Sequence, residues 1–210
     1  MTGGPAGIDL LPKPPRSLRS PGFALEVVDR VVAYRLHWDR NPLRPKRHLR
    51  GKFRFDPPRD GAEYAVTYAN LAEHGAFAEV YGDTQLVSEL ETTRRLSALV
   101  ATRPLNLIAL DDPTVQKTLK LDGRIAMSKQ YETTMLWSRA LHRWFPSADG
   151  IRYASRHAGA DFPNFCLFLD RCRPALEVQP RGALGDPVLR PLMLDAADRY
   201  RLAVLIPRAR

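Results

Sequence analysis

One carboxylate and two arginines are the side chains of this sequence best placed for chemistry. The carboxylate is Glu79, in "NLAEHGAFAEV". A helix beginning after Asn70 sets Ala72, Gly75 and Ala76 on its face, seven, four and three residues earlier. Small side chains let a helix approach a sheet closely. Glu79 is then aimed into a tight, partly dry space, where a carboxylate is costly unless something pairs or uses it. Alternatively it sits at the edge of that face and reaches water; helix geometry alone leaves both readings open. Arg35 in "VAYRLHW" and Arg54 in "KFRFD" lie on or beside strands in apolar surroundings. A planar, permanently charged guanidinium suits a phosphate or a carboxylate. Each arginine could equally be a structural partner of Asp39 or Asp56.

Other chemistries find less support. Ser155, His157 and Asp161 lie too close on one segment to converge as a hydrolytic triad, and no G-x-S-x-G elbow is present. The five histidines (37, 48, 74, 142 and 157) lack ligand spacing, so no metal is expected. Cys166 and Cys172 are six apart, which fits neither a zinc pair nor a disulfide framework, and they read as inert thiols. No G-x-G-x-x-G occurs, so any phosphate would be gripped by arginine rather than by a glycine-rich loop.

The elements that must position these residues are partly legible. "VVDRVVAYRLHW" (27–38) reads as one early strand with Arg35 near its end. A proline-broken basic loop follows, with eight lysines and arginines between 40 and 59. "EYAVTYA" alternates, with Tyr64, Val66 and Tyr68 on one face and Ala65, Thr67 and Ala69 on the other. Asn70 is expected to cap the Glu79 helix, with Glu73 completing a capping box. "DPTVQKTLKL" predicts a short helix and "SKQYETTMLWSRALHRWF" a longer one stopped by Pro146; "IRYAS" and "NFCLFLD" predict two late strands. The order lacks regular strand–helix alternation, so the class is α+β.

At 210 residues the chain suits one domain with a sizeable core. Residues 1–22 hold five of the eighteen prolines and read as a flexible or loosely docked tail, leaving 23–210 as the domain. The longest apolar runs, "LNLIAL" and "LAVLI", are strand-sized, and the N-terminus lacks the apolar core of a secretory signal. No membrane association is expected, and the cytoplasm is the default compartment. A net charge of +9 favours an anionic partner: nucleic acid, a phosphorylated small molecule or an acidic protein. The basic run between 40 and 59 is accordingly a solvated surface, a pyrophosphate grip or an acidic-partner surface. A module that binds nucleic acid through it is the non-enzymatic alternative, but helix-turn-helix and RRM signatures are missing and the aromatics are not interleaved with the basics.

Taken together the segments resemble the RES domain family, named for its arginine, glutamate and serine. The resemblance spans roughly 30–171 and is carried by Arg35, by "GKFRF" ending at Phe55, by "TYA" with Tyr68, by "AFAE" with Glu79, and by "DGIRYAS" with Ser155. Tyr131 in "KQYETT" matches a further tyrosine that opens the helix before the serine strand. Two departures stand out. The glycine of "GKFRF" lies one residue further from its arginine than in the tighter family form. Leu36 follows Arg35 where some members carry tyrosine, and Tyr34 precedes it. On a strand that puts the Tyr34 ring on the opposite face, so Tyr34 is read as packing.

The resemblance implies a single-domain, mixed split sheet similar to the ADP-ribosyltransferase fold, with an NAD-binding cleft. It implies a toxin that consumes NAD by breaking the nicotinamide–ribose bond, neutralised by an Xre-type antitoxin carrying a helix-turn-helix. It implies Glu79, Arg35 and Ser155 as catalytic residues, and Arg35, Arg54, Tyr68, Glu79 and Ser155 as the NAD contacts, with NAD as substrate and no metal. Ser155 would hydrogen-bond the ribose or orient Glu79, or else bond local backbone as a strand-end serine does. Transfer of ADP-ribose onto a protein is the alternative activity, and an RES-like interaction domain without catalysis is a third reading.

Overall fold

The computed structural model describes residues 11–15, 22–38, 40–43, 51–58, 64–88 and 93–205. Ten strands and six α-helices follow one another as β1 (Glu26–Val28), β2 (Val32–His37), β3 (Val66–Asn70), α1 (Glu73–Tyr81), β4 (Leu86–Ser88), β5 (Arg95–Ala101), β6 (Leu105–Ala109), α2 (Pro113–Leu119), α3 (Arg124–Met127), α4 (Tyr131–Trp144), β7 (Gly150–Ser155), β8 (Gly159–Phe168), α5 (Leu169–Cys172), β9 (Leu176–Ala183), α6 (Arg190–Arg199) and β10 (Ala203–Leu205). Eight strands form one sheet in the order β1-β6-β7-β8-β3-β2-β5-β9. Within this sheet β6 and β7 are parallel, with α2 to α4 in the crossover, and the other pairs are antiparallel; β4 and β10 form a separate parallel pair. This is a mixed α+β domain. Among the described residues no helix is long and apolar enough to cross a membrane.

The early apolar run is two strands, not one. Arg30 takes a left-handed backbone (φ 52°), which a continuing strand does not tolerate. The chain therefore turns between β1, which pairs with β6, and β2, which pairs with β3 and β5. The alternation in β3 holds: Tyr64, Val66 and Tyr68 pack into one core, Ala65 and Ala69 into another on the opposite face. "NFCLFL" is covered on both faces, which is why it reads as a continuous apolar run: Cys166 and Phe168 join the first core, Phe165 and Leu167 the second. A third core lies between α1, α6, β2 and β5, around Leu36, Phe77, Leu96 and Met193.

The cap of α1 differs from expectation. The N-cap is Ala72; Asn70 ends β3, and its Oδ1 accepts from the Ala72 amide at 2.8 Å. Glu73 closes no capping box; its carboxylate takes Arg181 at 3.0 Å. The Asn70 side chain is drawn instead into the sheet, and Gly75 makes room for it, since a Cβ there would lie 2.0 Å from Asn70 Oδ1. α4 spans Tyr131–Trp144 as the sequence suggests, burying Thr134, Met135, Trp137, Ser138 and Leu141 at helical spacing.

Of the expected N-terminal tail, 1–10 and 16–21 lie outside the described residues. Within 11–15, Leu11 is buried in the first core and Pro12 O accepts from Trp137 Nε1 at 2.6 Å. Residues 44–50 of the basic loop, and Asp39, also lie outside the described residues.

Candidate functional site

Four register-matched residues build a floor. Tyr34 on β2 pairs with Asn70 on β3, Asn70 with Asn164 on β8, and Asn164 with Tyr153 on β7. Directly paired residues project to the same side of a sheet. All four line a cavity of about 500 Å³. One wall is α1, which contributes Ala76, Glu79 and Val80, with Asp83 just past its end; the others are Lys52, Phe53, Arg54 and Tyr131 on one side and Arg156 and His157 on another.

The cavity opens where the sheet splits. β2 and β3 share one residue pair, Tyr34↔Asn70, and beyond it Arg35 Nη1 reaches across to donate to the Tyr68 carbonyl at 2.9 Å. Arg35, on the edge of that gap, lines the cavity with its neighbours Tyr34 and Leu36. Tyr34 packs against the third core and also lines the cavity, because a splayed strand exposes both of its sides.

Glu79 sits on the cavity wall, half-buried, with Ala76 and Gly75 buried beside it. Its Oε1 accepts a 2.5 Å hydrogen bond from Ser155 Oγ. Ser155 is 2% exposed, and its Oγ in turn accepts from the backbone amides of Ala158 (2.7 Å) and His157 (3.3 Å). The hydroxyl proton is thereby directed at Glu79, and Ser155 is not among the residues lining the cavity. Gly82 permits this contact, because a Cβ there would meet the His157 ring at 2.3 Å and push the loop after β7 off the end of α1.

The loop carrying "GKFRFD" is no strand; it is a series of turns fastened from both ends. Asp56 Oδ2 accepts from the Lys52 and Phe53 amides at 3.1 Å each, and Asp56 Oδ1 accepts from the Tyr68 hydroxyl at 2.9 Å. The Phe55 amide donates to that same hydroxyl oxygen at 3.0 Å. From α4, Thr134 Oγ1 donates to Arg54 O and Ser138 Oγ to Phe55 O. Thr134 and Ser138 lie on one helix face at i, i+4 spacing, so one helix holds two successive carbonyls of the loop. Arg54, 8% exposed, is aimed by this clamp. Its Nη2 donates to Ser128 O at 3.2 Å, and its guanidinium lies 5.8 Å from the Tyr131 ring centre. No ion pair joins Arg54 to Asp56 among the described residues.

Burial, above all, pushes the Asp56 carboxyl above its ordinary range; its three hydrogen-bond donors oppose that shift. Burial also raises the Tyr68 and Tyr153 phenols well above the usual range, for Tyr153 with the nearby Glu79 charge adding to it. Both rings are therefore neutral at any working pH. His157 is pushed down, first by burial, and is held in the neutral form as its Nε2 accepts from Arg156. Arg156 also binds Asp83 with both oxygens at 2.7 Å. With Asp83 engaged in this way, Glu79 faces a lining that also carries Arg35, Lys52, Arg54 and Arg94, a balance suited to an anionic ligand with a local site for positive charge.

Five residues singled out from sequence are thus assembled: Arg35, Arg54, Tyr68 and Glu79 line the cavity, and Ser155 backs Glu79. The hydrolytic triad is not assembled, since Ser155 donates to Glu79 and His157 Nε2 is occupied by Arg156. Sequence reading missed Tyr34, Tyr153, Asn70 and Asn164. Tyr153 was within reach, two residues before Ser155 on a strand; the two asparagines carry no local signal. Cys166 and Cys172 are buried and free, with burial raising both thiols, that of Cys172 to about 12. Among the described residues no group of histidine, cysteine and carboxylate side chains is placed to hold a metal ion.

Residues 28–188 match the family profile described as the RES domain. Among solved structures, the chain is similar to the M. tuberculosis MbcT–MbcA toxin–antitoxin complex, at a TM-score of 0.54 and 17% identity over 75% of this chain and 85% of that one. Among curated proteins no sequence matches.

Proposed function

The chain belongs to the RES domain family, and from that premise we propose that it consumes NAD by cleaving the nicotinamide–ribose bond, as the toxin of a toxin–antitoxin pair. The observation that carries this reading is Glu79, half-buried on a cavity wall shared with Arg35 and Arg54 and held by Ser155. Breaking that bond expels neutral nicotinamide and leaves positive charge on the ribose. A preorganised carboxylate stabilises that charge as it develops and accepts a hydrogen bond from a ribose hydroxyl. Ser155 fixes the direction of the carboxylate without touching the ligand. Arg35 and Arg54 bind the pyrophosphate, a role suited to guanidinium forks in a chain without a glycine-rich phosphate loop. Tyr68, its hydroxyl tied down by Asp56 and Phe55, offers its ring face to the departing nicotinamide.

The ribosyl cation is captured by water, by inorganic phosphate or by a protein side chain, and the product distinguishes them. Incubating the purified chain with NAD and separating the products is the test. Free nicotinamide with ADP-ribose, or with its phosphorylated form, supports consumption; ADP-ribose bound to protein supports transferase activity. Intact NAD overturns the enzymatic reading. The similarity to a toxin–antitoxin complex supports a cognate antitoxin, which we take to be of the Xre type. Co-expression with the neighbouring gene tests this: a stable complex that blocks NAD loss is expected, and failure to copurify overturns it.

A further inference from the structure

We propose that Asn164 is a specificity residue, donating a hydrogen bond to the carboxamide carbonyl oxygen of the substrate's nicotinamide ring. Asn164 is 2% exposed and lines the cavity floor between Asn70 and Tyr153. Its orientation is dictated by a relay. Asn70 Oδ1 accepts from the Ala72 amide at 2.8 Å, so Asn70 Nδ2 must face the other way, where it donates to Phe162 O (2.9 Å) and to Asn164 Oδ1 (2.8 Å). A flipped Asn164 would set two amide groups donor to donor. Asn164 Nδ2 is therefore turned from Asn70, and it is buried without an acceptor among the described residues. Buried donors of this kind are rare in native proteins and call for a partner.

The chemistry of that partner follows from what is already spent. The unpartnered atom of Asn164 is a donor, while its Oδ1 already accepts from Asn70 and is turned toward it. Glu79, on the same cavity, is an acceptor only and suits hydroxyl groups, which can donate. A pure donor suits a pure acceptor, and the Tyr153 ring beside it on the floor suits an acceptor borne by a flat ring. The carbonyl oxygen of a pyridine carboxamide meets both conditions. This inference rests on the NAD reading above.

The test compares NAD with its analogue whose ring lacks the carboxamide, on the full chain and on Asn164→Ala and Asn164→Asp. Nicotinamide, the weaker base, leaves more readily than pyridine; beyond that intrinsic advantage the wild type is expected to favour NAD by about a further tenfold in kcat/KM, the scale of one hydrogen bond to a neutral group. Asn164→Ala should lose that further preference by losing rate on NAD alone. Asn164→Asp keeps an acceptor for Asn70 but replaces the donor, and should also lose the further preference. An equal loss on both substrates, or the further tenfold retained by either variant, overturns the proposal while leaving NAD consumption standing. A wild type that does not bind NAD by calorimetry overturns both.

Discussion

Ser155 Oγ donates to Glu79 Oε1 while accepting two backbone amides from the loop that follows it. Since a hydroxyl has a single proton, satisfying both amides leaves that proton for the carboxylate. A serine 76 positions away in sequence thus fixes where the one carboxylate oxygen points, and the negative charge is oriented before any ligand arrives.

Glu79→Gln keeps size and helix propensity but removes the charge. NAD turnover is expected to fall by about 10² or more, the scale of losing one preorganised electrostatic group. Circular dichroism and the melting midpoint should remain close to wild type. Comparable turnover in the folded variant would remove Glu79 from the mechanism.

Ser155→Ala releases the carboxylate. A roughly tenfold fall in kcat with little change in KM is expected, together with a loss of about 1–3 kcal/mol in stability from the two amides left without their acceptor. In the Glu79→Gln background the same substitution should cost no further rate, because its effect passes through the carboxylate. A full additional loss there would assign Ser155 a contact of its own with the substrate.

Arg35→Ala is expected to weaken NAD binding by about tenfold or more, as loss of a charge-assisted contact does, with a smaller effect on kcat. Arg35→Lys restores charge but not the fork and should recover only part of the affinity. Calorimetric affinity equal to wild type in the alanine variant would refute the pyrophosphate role.

Asp56 sets a pH signature in stability. Its folded carboxyl titrates above the ordinary 3.8 because burial outweighs its hydrogen bonds. The folded chain thus holds the proton to higher pH than the unfolded one. The resulting stabilisation is complete below the unfolded value and is lost as pH rises through the folded one. Asp56→Asn removes this titration while keeping an acceptor for the Lys52 and Phe53 amides. Relative to wild type, its urea midpoint should improve as pH rises from about 4 toward 7; parallel curves would show that Asp56 does not titrate in this way.

Gly75→Ala pits propensity against space. A helical alanine gains about 1 kcal/mol over glycine, but its Cβ would lie 2.0 Å from Asn70 Oδ1. Asn70 is held by three hydrogen bonds and cannot give way cheaply. Overpacking of this kind costs about 1–3 kcal/mol, and loss of the bonds adds to it. A lower urea midpoint is expected, and a raised one would show that Asn70 is free to move.

What the sequence determined by itself is local. Alternation in "EYAVTYA" set the two faces of β3, the small residues before Glu79 set the helix face that lies over the cavity, and Pro146 stopped α4. These follow from periods of two and 3.6 residues, which need no knowledge of neighbours. The resemblance to the RES family groups Arg35, Tyr68, Glu79 and Ser155 from the sequence alone. The tertiary structure alone decided which strands pair, where they part, and therefore what fills the gap. The turn at Arg30 sends β1 and β2 to separate places in the sheet. The single Tyr34↔Asn70 pair opens the cavity and turns a packing tyrosine into part of its floor. Asn70 and Asn164, 94 residues apart, are ordinary polar strand residues until register sets them side by side. Pairing is a long-range choice made by whole-sheet packing, so no window of sequence contains it.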